Sequence, residues 1–462
     1  MRVAICTYWY PPTRTIASLR LAKFVKFLPE FGWEPHVFTI APVTDRYTAA
    51  GALEDEAPPA HVHRVPDPSM HVWVDRLAAR LRGRQNASPA APSSPQAATA
   101  ATEGGGSAVT RLAYRLYRDV VCMPDEAWPW LRHYREIRDA AEKASVDLIF
   151  SSSPPATSHV LARRLAADLG KPWVADLRDP WADMHTLERN AVRRWMDIRL
   201  ERRTLSHASA LTTVSAPMAK RFAADYAAPV HVIMNGYDVA DVPAALMDVQ
   251  PESDRLALVY TGLLYEGRRT PLMVFQALRR LHERSAIDLA RVAVRLYGRN
   301  LAIAERQLRD FPELAGVVQL GGEVSYQESL VLQRRATVLL LLEWPDPRAV
   351  GVVTGKLFEY LSTGRPILAI GPHGGEIDRI LGETGGGMLA QTIEELEQRL
   401  LTLYEDFRAH GPASSRAPSA ILGQFTRRAM TGRLADAFDS VMRSTGVATA
   451  TATADTRHAE VG

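Results

Sequence analysis

Thr354-Gly-Lys-Leu-Phe-Glu-Tyr-Leu-Ser-Thr-Gly-Arg-Pro-Ile-Leu-Ala-Ile-Gly371 joins a helical pattern to an apolar strand, Pro366–Ile370, across a glycine break at Gly364. Lys356 and Glu359 stand three residues apart just inside the helix start, so they share a face. Backbone N–H groups at a helix N-terminus favour an anion. A lysine beside those donors suits a diphosphate, and a carboxylate one turn deeper suits ribose or sugar hydroxyls. The same spacing also describes an ordinary ion pair on a helix surface.

Around this unit the same plan repeats. Leu256–Gly262, Val292–Gly298, Val317–Gly321 and Val338–Glu343 read as strands, with helices such as Pro271–His282 and Ser325–Arg335 between them. The first half reads alike: Val3–Tyr10, His36–Ile40, His61–Val65, Asp147–Ser153, Trp173–Asp179, Ala210–Ser215 and His231–Asn235 are strands, and Ala17–Phe31 is a helix ending at Gly32. Strands alternating with helices predict parallel sheets covered on both faces, arranged as two doubly wound α/β domains in tandem. Asn235-Gly-Tyr-Asp238 and the Pro/Asp-rich stretch to Pro251 read as the hinge. The expected domains are 1–238 and 239–425, with a helix at 426–444 packing back toward the first domain. Arg84–Ser107, rich in Ala, Ser, Pro and Gly, reads as a disordered insert, and 445–462 as a disordered tail.

Composition narrows the function classes. A chain of 462 residues has room for two or three cores, and a net charge of +3 gives no global nucleic-acid signature. Two cysteines, Cys6 and Cys122, supply neither a disulfide framework nor metal-ligand spacing, which predicts a reducing compartment. The N-terminus reads as a strand rather than a signal peptide, and no apolar run approaches the roughly 20 residues that span a bilayer. Nicotinamide chemistry is disfavoured, because no Gly-x-Gly-x-x-Gly follows the first strand.

An ordered series of short segments carries a family resemblance. It comprises Tyr10-Pro-Pro before an amphipathic helix, Phe31-Gly-Trp-Glu-Pro-His-Val-Phe-Thr39, Ser152-Ser-Pro-Pro-Ala-Thr-Ser-His159, Asp176-Leu-Arg-Asp-Pro-Trp181, Thr213-Val-Ser215, Asn235-Gly-Tyr-Asp238, Tyr260-Thr-Gly262, Leu296-Tyr-Gly298 and the Lys356…Glu359 helix. In this order they resemble the GT-B glycosyltransferases of family 4, over about residues 1–70 and 112–400. The resemblance implies two Rossmann-like domains facing a cleft, the N-terminal one for the acceptor and the C-terminal one for the donor. It also implies transfer of a sugar from a nucleotide-diphosphate sugar with retention of configuration. Two departures stand out. Many members carry a second glutamate eight residues before the one at 359, where this chain has Gly351. The glycine-rich loop after the first strand is replaced by Thr13-Arg-Thr-Ile-Ala-Ser18, which offers Arg14 for work otherwise done by backbone N–H groups.

The resemblance assigns roles to particular residues. On the donor side, Gly262, Gly298, Lys356 and Glu359 line the site, Val324 in Glu323-Val-Ser325 lies near the nucleobase, and Arg268 or Arg269 meets the phosphates through a planar fork. A plain helix cap at Ser325 is the competing reading of that loop. On the acceptor side stand Arg14, Asp176 and Arg178. The catalytic candidates are Asp179, which would orient an acceptor hydroxyl, and His159, which would hold the transferred sugar or help a proton move. Competing readings are an intradomain Arg–Asp pair and a packing histidine.

No cofactor is expected, and no metal, because no Asp-x-Asp constellation is apparent; side chains would neutralise the leaving diphosphate. Expected partners are a nucleotide sugar, a glycan or polyprenyl-linked acceptor and an anionic membrane surface, but no nucleic acid. The membrane would be met by the basic stretches Arg111–Arg118 and Arg189–Arg203, each of which also reads as a solvated face. That places the chain in the cytoplasm, peripheral on the inner face of the cell membrane, in surface polysaccharide or glycolipid assembly. The alternatives are a nucleotide-sugar 2-epimerase on the same scaffold, or a non-catalytic protein that kept the fold.

Overall fold

The structure is a computed structural model that describes residues 1–13, 16–41, 61–66, 122–182, 190–241, 246, 248–413 and 419–446. The expected insert at 84–107, the basic stretch 111–118, Arg14, and the tail beyond 446 lie outside the described residues. The chain divides into two compact units. One comprises Met1–Val214, Met218–Ile233 and the chain from Thr431 on; the other comprises Ser215–Pro217 and Met234–Met430.

The first unit is built on seven strands: β1 (Arg2–Cys6), β2 (Glu34–Ala41), β3 (His61–Pro66), β4 (Leu148–Ser153), β5 (Trp173–Leu177), β6 (Ala210–Thr213) and β7 (Val230–Val232). They form one parallel sheet in the order β3-β2-β1-β4-β5-β6-β7. Its central strands β1 and β4 are buried along nearly their whole length rather than on alternate residues, because helices cover both faces. The helix Arg427–Ser444 belongs to this core from Thr431 on. Leu434, Phe438, Val441 and Met442 recur at helical spacing and are buried. The Phe438 ring meets Trp33 at 5.2 Å and Phe150 at 5.4 Å, and Trp33 Nε1 donates to Asp439 at 3.0 Å.

The second unit has six parallel strands: β8 (Leu256–Leu263), β9 (Val292–Arg299), β10 (Val318–Gly322), β11 (Val338–Leu342), β12 (Ile367–Ile370) and β13 (Gly387–Ala390). Their order is β10-β9-β8-β11-β12-β13. The sequence reading names no strand after Ile370. Gly385-Gly-Gly387 hides β13, yet the sheet needs glycine there: a Cβ on Gly387 would lie 2.1 Å from the Ile367 carbonyl oxygen.

Both sheets reverse direction beside their first strand, between β1 and β4 and between β8 and β11. In doubly wound folds ligands bind beyond the carboxyl ends of the strands at such a switch point. Those two strand ends are therefore where chemistry is to be sought.

Candidate functional site

In the second unit the switch point is marked by Gly262 near the end of β8 and by Glu343 just past β11. Gly262 and Gly298 are register partners in β8 and β9. Gly298 has φ +124°, and a Cβ there would lie 1.8 Å from the Gly262 carbonyl oxygen. The close approach that Gly298 permits is thus made to the neighbouring strand. Beyond β8 the chain folds into a tight loop in which Tyr265 and Arg269 bridge, with Gly267 at φ +67°.

The loop separates the two arginines that the sequence left open. Arg269 donates to the Glu343 carboxylate at 2.5 Å, so it ties the β8 loop to the β11 end. Burial pushes the Glu343 carboxyl up, and Arg269 opposes that. Burial works against the charge of Arg269, but Glu343 outweighs it and raises its pKa. The Arg268 guanidinium lies 5.0 Å over the Trp344 ring.

The helix Gly355–Leu361 brings the lysine–glutamate pair to the same end of the sheet. Lys356 Nζ donates to Glu359 at 2.8 Å. Both side chains are half-buried. Gln333 Nε2 spans Glu359 at 3.5 Å and Thr261 Oγ1 at 3.1 Å, and the Thr261 N–H donates to Tyr360 Oη at 3.0 Å. The pair is therefore wired to the end of β8. Burial opposes the Lys356 charge, but the Glu359 carboxylate, with Tyr360, outweighs it and raises the lysine's pKa. One part of the sequence reading changes. The helix has seven residues, and two of its first N–H groups are already engaged: Lys356 N by Thr354 Oγ1 at 3.4 Å and Leu357 N by the Thr354 carbonyl at 3.2 Å. The helix start therefore offers fewer free N–H groups than the sequence reading assumes. Val324 is half-buried, and Ser325 beside it forms a reciprocal capping box with Glu328, so the helix-cap reading of that residue holds.

In the first unit, three candidates each bind one serine at the end of β4. His159 pairs through Nδ1 with Ser151 Oγ at 2.8 Å, Asp176 accepts from Ser152 Oγ at 2.8 Å, and Arg178 Nε donates to the Ser153 carbonyl at 2.9 Å. Asp176 is fully buried, and its carboxylate also takes Arg20 at 3.2 Å and Thr212 at 2.8 Å. With its oxygens so occupied it ties β4, β5 and β6 to the first helix, a correction to its expected acceptor role. Arg20, the buried partner, was not singled out in the sequence; its helical position among apolar residues gave no sign. Asp179 is exposed just past β5.

His159 is fully buried, with the Trp173 and Trp181 rings at 6.2 and 6.4 Å. Trp173 Nε1 donates to Ser151 Oγ at 2.8 Å, which leaves the serine's own proton for His159 Nδ1. The imidazole proton then sits on Nε2, a buried atom with no hydrogen-bond partner. Burial lowers the His159 pKa to about 4, so at neutral pH it is a neutral donor and not a proton carrier. A neutral, fully buried imidazole does not fit the expected role of helping a proton move.

The helix Ala191–Leu205 revises the basic-face reading. Arg193 points inward and pairs with Asp197 at 2.9 Å. Glu201 is buried and accepts from Tyr226 Oη at 3.0 Å. The two acids on this helix that would offset the positive charge therefore face the core. Arg194, Arg199, Arg202 and Arg203 are exposed beside Val192 and Trp195, which are 68% and 58% exposed. Among the described residues no helix is long and apolar enough to cross a membrane.

Comparisons with known proteins bear on the fold. Residues 70–241 match the model of Glycosyltransferase Family 4. No curated protein matches the chain in sequence. Among solved structures, HepE of Anabaena in complex with UDP is similar at 14% identity and TM-score 0.60, covering 95% of this chain and 100% of its own. The lipopolysaccharide outer core galactosyltransferase WaaB is similar at 14% identity and TM-score 0.55, covering 96% and 100%. A glycosyltransferase of Rickettsia africae is similar at 12% identity and TM-score 0.58, covering 96% and 98%. A putative UDP-N-acetylglucosamine 2-epimerase of Listeria monocytogenes follows at 13% identity and TM-score 0.50, covering 96% and 98%. The likeness to these structures shows a GT-B fold, and residues 70–241 carry the match to Glycosyltransferase Family 4.

Proposed function

We propose that this enzyme moves a sugar from a nucleoside-diphosphate sugar to a glycan or lipid-linked acceptor, with retention of configuration, in the assembly of surface polysaccharide or glycolipid. The observation that carries the donor site is the half-buried Lys356–Glu359 pair, joined through Gln333 to Thr261 at the switch point of the second sheet. Lys356 and Arg268 stabilise the negative charge that grows on the departing diphosphate, and Glu359 accepts from ribose or sugar hydroxyls. Arg269 positions the loop through Glu343 rather than meeting the phosphates. No metal is assigned to the diphosphate, because these side chains carry its charge. HepE binds UDP, and we carry that nucleotide to this chain as the first donor to try.

In the first unit His159 Nε2 holds an oxygen of the transferred sugar, and Asp179 with Arg178 faces the acceptor. The enzyme works in the cytoplasm, peripheral on the inner membrane face through Val192, Trp195 and the arginines around them.

Calorimetric titration with UDP and turnover of a UDP-sugar test the donor site. Glu359→Gln keeps shape but removes charge-assisted bonds, and should cost about 1.5–3 kcal/mol, roughly ten- to hundred-fold in kcat/KM. Lys356→Ala should weaken UDP binding as well as turnover. Unchanged UDP binding and turnover in both folded variants would reduce the pair to a structural link.

A further inference from the structure

The amino ends of β2 and β3, opposite the ends where this fold keeps its ligands, gather three metal-ligating side chains. Glu34 and His36 are two apart on β2 and so share a sheet face, and His61, the first residue of β3, is the register partner of His36. Glu34 Oε1 lies 3.4 Å from His36 Nε2 and 3.4 Å from His61 Nδ1. All three ligand atoms fall within 4.8 Å of one another. The His36 and His61 rings stack at 4.3 Å with 7° between their planes.

We propose that Glu34, His36 and His61 form a site for a zinc-class divalent cation that staples the edge strand β3 to β2. Bonds of about 2.0–2.2 Å at tetrahedral angles put neighbouring ligand atoms about 3.3–3.5 Å apart, the spacing that Glu34 Oε1 keeps to both imidazoles. Two imidazoles and a carboxylate are the donor set of borderline cations such as Zn2+ and Co2+, with water for the fourth position. A second observation points to a ligand independently. His36 is 4% exposed, and neither of its ring nitrogens has a hydrogen-bond partner, although Nε2 faces the carboxylate. A buried polar atom without a partner is costly, and a cation on Nε2 removes that cost. Arg2 Nε holds the other Glu34 oxygen at 3.2 Å, which orients the carboxylate so that Oε1 faces the imidazoles. The parallel rings do not aim their lone pairs at one point as they stand, so closure requires the exposed His61 ring to turn out of the stack until its Nδ1 lone pair meets that of His36 Nε2.

Tag-free, full-length protein, stripped of metal, is titrated with Zn2+ by calorimetry and with Co2+ by visible absorption. The expected result is one equivalent of Zn2+, a Co2+ spectrum of four-coordinate intensity, and a higher melting temperature with Zn2+. His61→Ala and Glu34→Gln change exposed side chains, so both should fold and both should lose that equivalent and that melting shift. Wild-type protein that binds no Zn2+, or variants that bind it as the wild type does, would overturn the site and leave a stacked histidine pair beside an acid.

Discussion

His159→Asn isolates the energetics of a buried neutral histidine at the end of β4. The imidazole is fully buried and its pKa falls from an ordinary 6.5 to about 4. The unfolded chain therefore binds a proton between those values that the folded chain refuses, so stability present above about pH 6.5 is lost as the pH falls toward 4. At about 1.4 kcal/mol per factor of ten in proton affinity, the full window is worth about 3 kcal/mol, of which about 2 kcal/mol lies between about pH 7 and pH 5. Asparagine places an amide near Nδ1, where it can keep the bond to Ser151, but it does not titrate. Urea unfolding of both proteins across that range separates this contribution from every other titrating group. The stability advantage of wild type over variant should shrink by about 2 kcal/mol on going from about pH 7 to pH 5. A difference that stays flat would mean that His159 is open to solvent or protonated in the folded protein, and the neutral-donor role would fall with it.

Two further outcomes follow from other parts of the structure. Arg269→Ala strands the buried Glu343 carboxylate and should cost about 3–5 kcal/mol of folding stability. Burial pushes the Glu343 carboxyl up and Arg269 opposes it, so without the arginine protonation relieves the stranded charge, and the deficit should be largest at alkaline pH and shrink on acidification; Arg268→Ala should show no such loss in denaturant melts. Replacing Arg199, Arg202 and Arg203 by Gln should weaken binding to anionic vesicles by about 3 kcal/mol, at about 1 kcal/mol each, and equal sedimentation with neutral and anionic vesicles would remove the membrane reading.

The second sheet was legible because strands such as Val338–Leu342 are uninterrupted apolar runs, which parallel sheets covered on both faces favour. β13 was not, since a strand that begins with glycines lacks the branched residues that mark strands, and here close approach to β12 excludes them. In the donor unit Lys356 and Glu359 could be paired from spacing along one helix. Thr261, Gln333 and Glu343 could not be joined to them, because they are brought there by three other elements. Glu343 alone left a trace, a carboxylate ending an apolar run. Asp176 shows the converse. A dense polar cluster after a strand reads as a ligand site, but a carboxylate buried beside Arg20 can hold the fold itself together.

The proposed metal site leaves no pattern along the chain for the same physical reason. Glu34 and His36 are ordinary neighbours on a strand, and His61 is 25 residues beyond His36 across a connection that carries no pattern. Only the register of β2 against β3 sets the two histidines side by side; a shift of one residue would turn the histidine of β3 to the other face of the sheet. Cation binding at Glu34, His36 and His61 would therefore report on that register. With the cation bound, slippage or detachment of the edge strand would have to break metal–ligand bonds as well as ladder hydrogen bonds. The site would act on the framework at the amino ends of the strands and leave the carboxyl ends to the sugar.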